Sequence, residues 1–159
     1  MSIATRVRAY LNTHNIGYET IIHNHSHCSM ETARAAGIKP EQTAKAVMLE
    51  DHQGHHLMAV LPASHKISLD RLGQQFQAEW HLLEEERLTP MFDDCEPGAV
   101  PSLGAAYNLN TIYDDSLANQ SEVYLESGDH STLIRLRAEQ FAELMRRGQH
   151  GQFSNKAYH

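Results

Sequence analysis

The sequence predicts one α/β domain built on a mixed β-sheet with helices packed against it. Three observations carry that expectation. The chain has 159 residues and shows no internal repeat, low-complexity tract or linker. That length suits a single domain, which buries ~70% of the surface its unfolded chain exposes. Residues 43–63, "TAKAVMLEDHQGHHLMAVLPA", set two apolar segments around the four-residue turn "DHQG", which reads as a hairpin. Strand-like and helix-like segments then alternate irregularly, with a second hairpin near the C-terminus. This pattern points to a mixed sheet rather than a doubly wound one.

The elements follow in order. "IATRVRAYLNTHN" carries Ile3, Val7, Tyr10 and Leu11 at helical spacing, and Gly17 supports a stop. "YETIIH" reads as a short strand. Ser29 can cap the helix "METARAAG", with Glu31 in its first turn and Gly37 at its end. In the first hairpin, five consecutive apolar residues from Leu57 to Leu61 imply that both faces are covered, so this hairpin belongs near the sheet centre. Ser68 and Asp70 suit the start of a helix through "LDRLGQQF". "EEERLTPMF" is a shorter helix that Pro90 should end or distort. "NTIYDD" reads as a strand entering a turn, and "EVYLES" and "STLIRL" as strands joined by the tight turn "GDH". "AEQFAELMRR" is an amphipathic helix with Phe141, Leu144 and Met145 inward and Arg146 and Arg147 at its C-terminal end. The domain is read as residues 1–148, and residues 149–159 as an irregular tail.

Composition narrows the function. The net charge of −7 argues against sequence-independent gripping of a nucleic-acid backbone, and so against a DNA-binding role. Lys39, Lys45, Lys66 and Arg71 nevertheless occupy a stretch with few acids, whereas residues 84–96 are strongly acidic. The longest apolar runs, such as "LMAVLP", are too short to cross a bilayer. The N-terminus lacks the apolar core of a secretory signal. Cys28 and Cys95 form no C-x-x-C pair and read as reduced thiols of a cytoplasmic protein. Twelve histidines leave the charge sensitive to mild acid.

Four stretches could carry chemistry. "DDCEPGAVPSLG", residues 93–104, is either a rigid surface turn or a stiff loop that aims backbone groups at a ligand. Lys45 shares a strand face with Val47 and Leu49. It either snorkels to water from the strand's start or holds an ammonium at a pocket mouth. In "SGDH", Gly128 and Asp129 are ordinary turn residues. His130 either opens the next strand or projects over the sheet end. "HNHSHC" alternates His23, His25 and His27, which if extended would face one side and suit zinc, or simply form a polar strand end. Cys95 with His130 as nucleophile and base has nothing in sequence to orient it. No P-loop, G-x-G-x-x-G or G-x-S-x-G motif occurs.

Taken together, "AKAVMLE", "LMAVLPASHKISL", "GAVPSLG", "TIYDDSL" and "VYLESGDHSTLIRL" resemble the YbaK/ProX family of aminoacyl-tRNA deacylases, relatives of the editing domain of bacterial prolyl-tRNA synthetase. The similarity runs from about His23 to Met145. It implies a compact mixed sheet, curved toward a barrel and flanked by helices. It also implies hydrolysis of the ester of a mischarged tRNA without cofactor or metal. The partner implied is the acceptor end of an aminoacyl-tRNA; the acidic net charge suggests that binding stops there, with help from a synthetase or elongation factor. Lys45 matches the family's strand lysine, associated with substrate binding and catalysis. Gly98, Ala99, Val100 and Pro101 match the G-x-x-P loop that lies against the ester. Gly128, Asp129 and His130 fall in the glycine-containing turn, whose histidine occurs in some editing members. Ala46 stands where several relatives carry a polar residue, often asparagine, so amino-acid preference does not carry over.

Overall fold

A computed structural model describes residues 3–26 and 28–157. The chain opens with α1 (Thr5–Thr13), whose Val7 and Leu11, one turn apart, are both buried. The stop comes before Gly17, at Asn15, which takes φ 54° and sends the chain into β1 (Glu19–Ile22). Helix α2 (Ser29–Ala36) ends on Gly37 in the left-handed conformation, a common helix ending. Its N-cap position is held by Cys28, so Ser29 lies inside the first turn instead of capping it.

Strands β2 (Ala44–Asp51) and β3 (His56–Pro62) form the expected hairpin, with Lys45 opposite Leu61 and Met48 opposite Met58. Asp51 Oδ1 accepts from the N–H groups of Gln53 at 2.9 Å and His55 at 2.8 Å and so fixes the turn. After β4 (His65–Ile67), Ser68 Oγ accepts from Arg71 N–H and opens α3 (Leu69–Phe76). Next come β5 (Trp80–Leu82) and α4 (Glu85–Met91), which tolerates Pro90 only in its last turn. Strand β6 (Thr111–Asp114) runs straight into α5 (Asp115–Ala118), with Asp114 as the cap. Strands β7 (Glu122–Glu126) and β8 (Thr132–Arg137) form the second hairpin, followed by α6 (Ala138–Leu144). That helix buries Phe141 and Leu144 but stops short of Arg146 and Arg147.

The strands assemble into a five-stranded sheet in the order β5-β2-β3-β6 with one further strand at its edge, and a three-stranded sheet in the order β1-β8-β7. The β3–β6 pairing is parallel and the two hairpins are antiparallel, so the sheet is mixed. A single parallel bridge, Thr43↔Tyr124, ties the two sheets together. The main core lies between them: Met58 and Val60 from β3 pack with Val123 and Leu125 from β7, Ile134 and Leu136 from β8, Val7 and Leu11 from α1, and Phe141 from α6. The opposite face of β3 presents Leu57, Ala59 and Leu61 to a second core with Leu49, Leu72 and Ile112. Two cores on two faces explain five apolar residues in a row.

The expected irregular tail is ordered strand instead. Strand β9 (Gln149–Gly151) pairs in parallel with β6 and completes the five-stranded sheet. Strand β10 (Ser154–Lys156) pairs with β4. Phe153, fully buried, fills the second core, a burial that contributes about 1.5–3 kcal/mol. Asp114 Oδ2 accepts from Phe153 N–H at 3.1 Å and from Ser154 Oγ at 2.7 Å. Ser154 Oγ lies in turn 2.8 Å from His65 Nδ1. Two three-residue strands around one aromatic carry no readable period, so the sequence does not announce them. Among the described residues, no helix is long and apolar enough to cross a membrane.

Candidate active site

Lys45 stands at the start of β2, half-buried, and its Nζ donates to the Ala63 carbonyl at 3.3 Å. Burial lowers its pKa, opposed by the neighbouring Cys28 sulfur. The ammonium therefore sits where water is scarce and a counter-charge is welcome.

The loop over residues 95–101 and the turn over residues 127–130 are hydrogen-bonded to each other. Glu96 N–H donates to the Gly128 carbonyl at 2.7 Å. His130 Nε2 lies 2.7 Å from the Pro97 carbonyl. A carbonyl only accepts, so Nε2 is the protonated nitrogen. Gly98 takes φ 82° and Gly128 φ 118°. At Gly128 an added Cβ would lie 3.0 Å from Ala4 Cβ and 3.1 Å from Cys95 Sγ, so conformation and space both demand glycine. Within the loop, Ala99 N–H is held by the Glu96 carbonyl at 3.0 Å.

These parts enclose one cavity of about 350 Å³. Lys45, Ala46, Gly98, Val100 and His130 line it together with Glu85 and Glu126. Four of the residues expected to bind substrate are not among its lining. Ala99 and Pro101 are buried within the loop, and Gly128 is buried in the turn. The Asp129 carboxylate accepts from Ser131 N–H at 2.9 Å, and from Thr132 N–H and Oγ1 at 2.8 and 2.9 Å. Burial alone would raise the Asp129 pKa, but these hydrogen bonds hold it below the usual value.

Sequence reading missed the two carboxylates and the apolar wall of Leu83, Leu88 and Leu133. Glu126 left a faint signal, as an acid closing an apolar strand just before the glycine turn. Burial raises its pKa. Glu85 left none, because it lies in an acidic run that reads as solvated surface.

Of the competing chemistries, the cysteine nucleophile finds little support. His23 is buried with Nδ1 donating to the Asn24 carbonyl at 2.6 Å, whereas His25 is exposed with its ring 5.1 Å from that of His130. The two differ in burial, and His27 lies outside the described residues. Among the described residues, no three His, Cys, Asp or Glu side chains converge as metal ligands would. Cys95 contacts Tyr107 Oη at 3.3 Å and Asp94 Oδ1 at 3.4 Å. Burial pushes its thiol up to about 12, which disfavours the thiolate a nucleophile needs. A second cavity, of about 380 Å³, is lined by Phe76, Trp80, Asn110 and Arg147 among others and contains none of the expected residues. Volume does not separate the two cavities; the meeting of Lys45, Gly98 and His130 in the first does.

Comparison with known proteins agrees with this placement of the fold. No curated protein matches the sequence. Among solved structures, a candidate trans-editing enzyme for prolyl tRNA synthetase superposes with a TM-score of 0.82 at 19% identity, covering 96% of each chain. The hypothetical protein APE2540 gives 0.83 at 15% identity, covering 94% of this chain and 99% of its own. A structure from the computational grafting of epitope backbones onto scaffold proteins gives 0.81 at 19% identity, covering 97% of both. At such identities the likeness concerns the fold. The sequence evidence is separate: the model of the aminoacyl-tRNA editing domain matches residues 23–144, the span that contains every residue named above as lining the first cavity. The chain belongs to the aminoacyl-tRNA editing domain family.

Proposed function

We propose that this protein is a cytoplasmic trans-editing deacylase. It hydrolyses the ester of a mischarged tRNA, most simply tRNA-Pro carrying a small amino acid such as Ala, Cys, Ser or Thr. One observation carries the reading: Lys45 from β2, Gly98 and Val100 from the loop, and His130 from the second hairpin line a single cavity in an editing-family chain.

The chemistry follows from the groups present. Ester hydrolysis develops negative charge on the carbonyl oxygen, and fixed backbone N–H donors stabilise it by several kcal/mol in a dry site. Ala99 N–H is engaged with Glu96, so the donors are the N–H groups of Gly98 and Val100. Lys45, a compact cation, holds the terminal nucleotide's phosphate. His130 fixes the loop through the Pro97 carbonyl and acts as a positioning residue. The neighbouring ribose hydroxyl of the substrate supplies the proton transfer, so no protein triad is required. At about 350 Å³ the cavity lies at the small end of ligand pockets, which span ~300–1,000 Å³. Leu83, Leu88 and Leu133 then exclude larger acyl groups, which a synthetase pocket distinguishes by only ~1–3 kcal/mol per methylene. The acidic net charge fits recognition limited to the acceptor end, with a synthetase or elongation factor delivering the tRNA.

The test is a panel of tRNA-Pro charged with Ala, Ser, Thr, Cys and Pro, with ester loss followed over time. Lys45→Ala should stay folded and lose at least ~100-fold in rate, a loss of about 3 kcal/mol at the transition state. Near-wild-type turnover in that variant removes the lysine from the mechanism. Binding of the panel without turnover would make the protein a non-catalytic tRNA-binding module.

A further inference from the structure

Glu126 closes β7 and lines the same cavity as Lys45. The bridge Thr43↔Tyr124 runs in parallel, and two residues further along each strand stand Lys45 and Glu126. By alternation they share one side of the ladder. The two do not neutralise each other, since neither forms an ion pair within 4.0 Å among the described residues. Glu126 Oε1 accepts from Ser127 N–H at 3.1 Å. The cavity's other titratable groups are Cys28, Glu85 and His130. Glu85 is exposed on the first turn of α4, where water already solvates it. Glu126 is poorly solvated, and burial raises its pKa. A carboxylate in such a place gains most from a cationic guest.

The acylated end of a tRNA offers anions in its phosphates and one cation, the α-ammonium beside the reacting carbonyl. A cavity holding an ammonium and, apart from it, a poorly solvated carboxylate has the complementary charges. We propose that Glu126 anchors the substrate's α-ammonium, turning the acyl group so that its carbonyl meets the N–H groups of Gly98 and Val100. This rests on the deacylase reading and extends it. Esters of free amino acids are substrates, whereas esters whose nitrogen is acylated, such as peptidyl or formylated chains, are spared.

The test compares alanyl-, seryl-, threonyl-, cysteinyl- and prolyl-tRNA-Pro with the N-acetylated form of each, on the wild type and on E126Q and E85Q. Glutamine keeps an acceptor for Ser127 N–H, and thermal unfolding checks that E126Q folds. The wild type should prefer the free amine by about tenfold to a hundredfold, the range of a charge-assisted hydrogen bond. E126Q should lose that preference by slowing only the free-amine substrates. The wild-type comparison stands without any variant. Equal wild-type rates on both forms, an equal slowing of both in E126Q, or loss of the preference in E85Q instead would each overturn the assignment while leaving the deacylase reading intact. Failure to hydrolyse any of the five free aminoacyl-tRNAs would remove both.

Discussion

Replacing His130 by alanine deletes the 2.7 Å donor to the Pro97 carbonyl, a hydrogen bond that joins the residue 95–101 loop to the second hairpin. Pro97 is exposed, so water can take over the freed carbonyl and the loss is that of an ordinary hydrogen bond, about 0.5–1.5 kcal/mol; H130A should unfold at lower urea concentration by that margin. The chemical effect should be larger than the stability loss suggests, because a ~1 Å displacement of positioned groups costs on the order of 100-fold in rate. H130Q separates a strut from a proton carrier. Its side-chain amide can donate to the same carbonyl but cannot relay a proton, and general acid–base work is worth ~10²–10⁴-fold. If His130 acts by holding the loop, H130Q recovers most of the stability and stays within ~10-fold of wild type in deacylation of the panel tRNAs. If H130Q is as stable as wild type yet slower by ~100-fold or more, the histidine works on the substrate and the strut argument is wrong.

Two further outcomes probe the frame around the site. Phe153→Ala opens the second core and should cost about 3–5 kcal/mol, read as a shift in the urea midpoint; a negligible shift would mean that β9 and β10 are dispensable to the fold. Hydrogen bonds from Arg87 and then His56 hold the Glu50 carboxyl at about 2, below its ordinary 4.5. A depressed acid contributes its stabilisation above the ordinary value and loses it as pH falls through the depressed one. The stability gap between wild type and Arg87→Ala should therefore be full at pH 5 and shrink toward pH 2, which urea titrations at several pH values will measure.

Periodicity made most of the framework legible, because elements that bury one face advertise it. Val7 with Leu11, the Leu57–Leu61 run and Phe141 with Leu144 each announced their element. Local chemistry placed the turns at Asp51 and Gly37. What stayed hidden depends on meetings between distant segments. The order in residues 149–156 comes from Phe153 entering a core built by β2, β3 and α3, and from the Asp114 carboxylate, neither of which the tail's own sequence records. The cavity divides the same way. Residue types and spacing singled out Lys45, Gly98 and His130, while Asp129 looked equally available until the turn's own N–H groups claimed its carboxylate. Glu126 was visible only as one acid among twenty acidic residues, and its standing depends on a bridge between strands that sequence does not display.

Strand β3 belongs to both hydrophobic compartments at once, with alternate side chains wedged into opposite halves of the molecule. Neither half can loosen while the other stays intact, because the shared strand would have to tear one set of contacts to release the other. The domain should therefore melt as a single cooperative unit. Any mutation that softens the far compartment lowers the population of chains with an assembled reaction chamber, without touching the chamber itself.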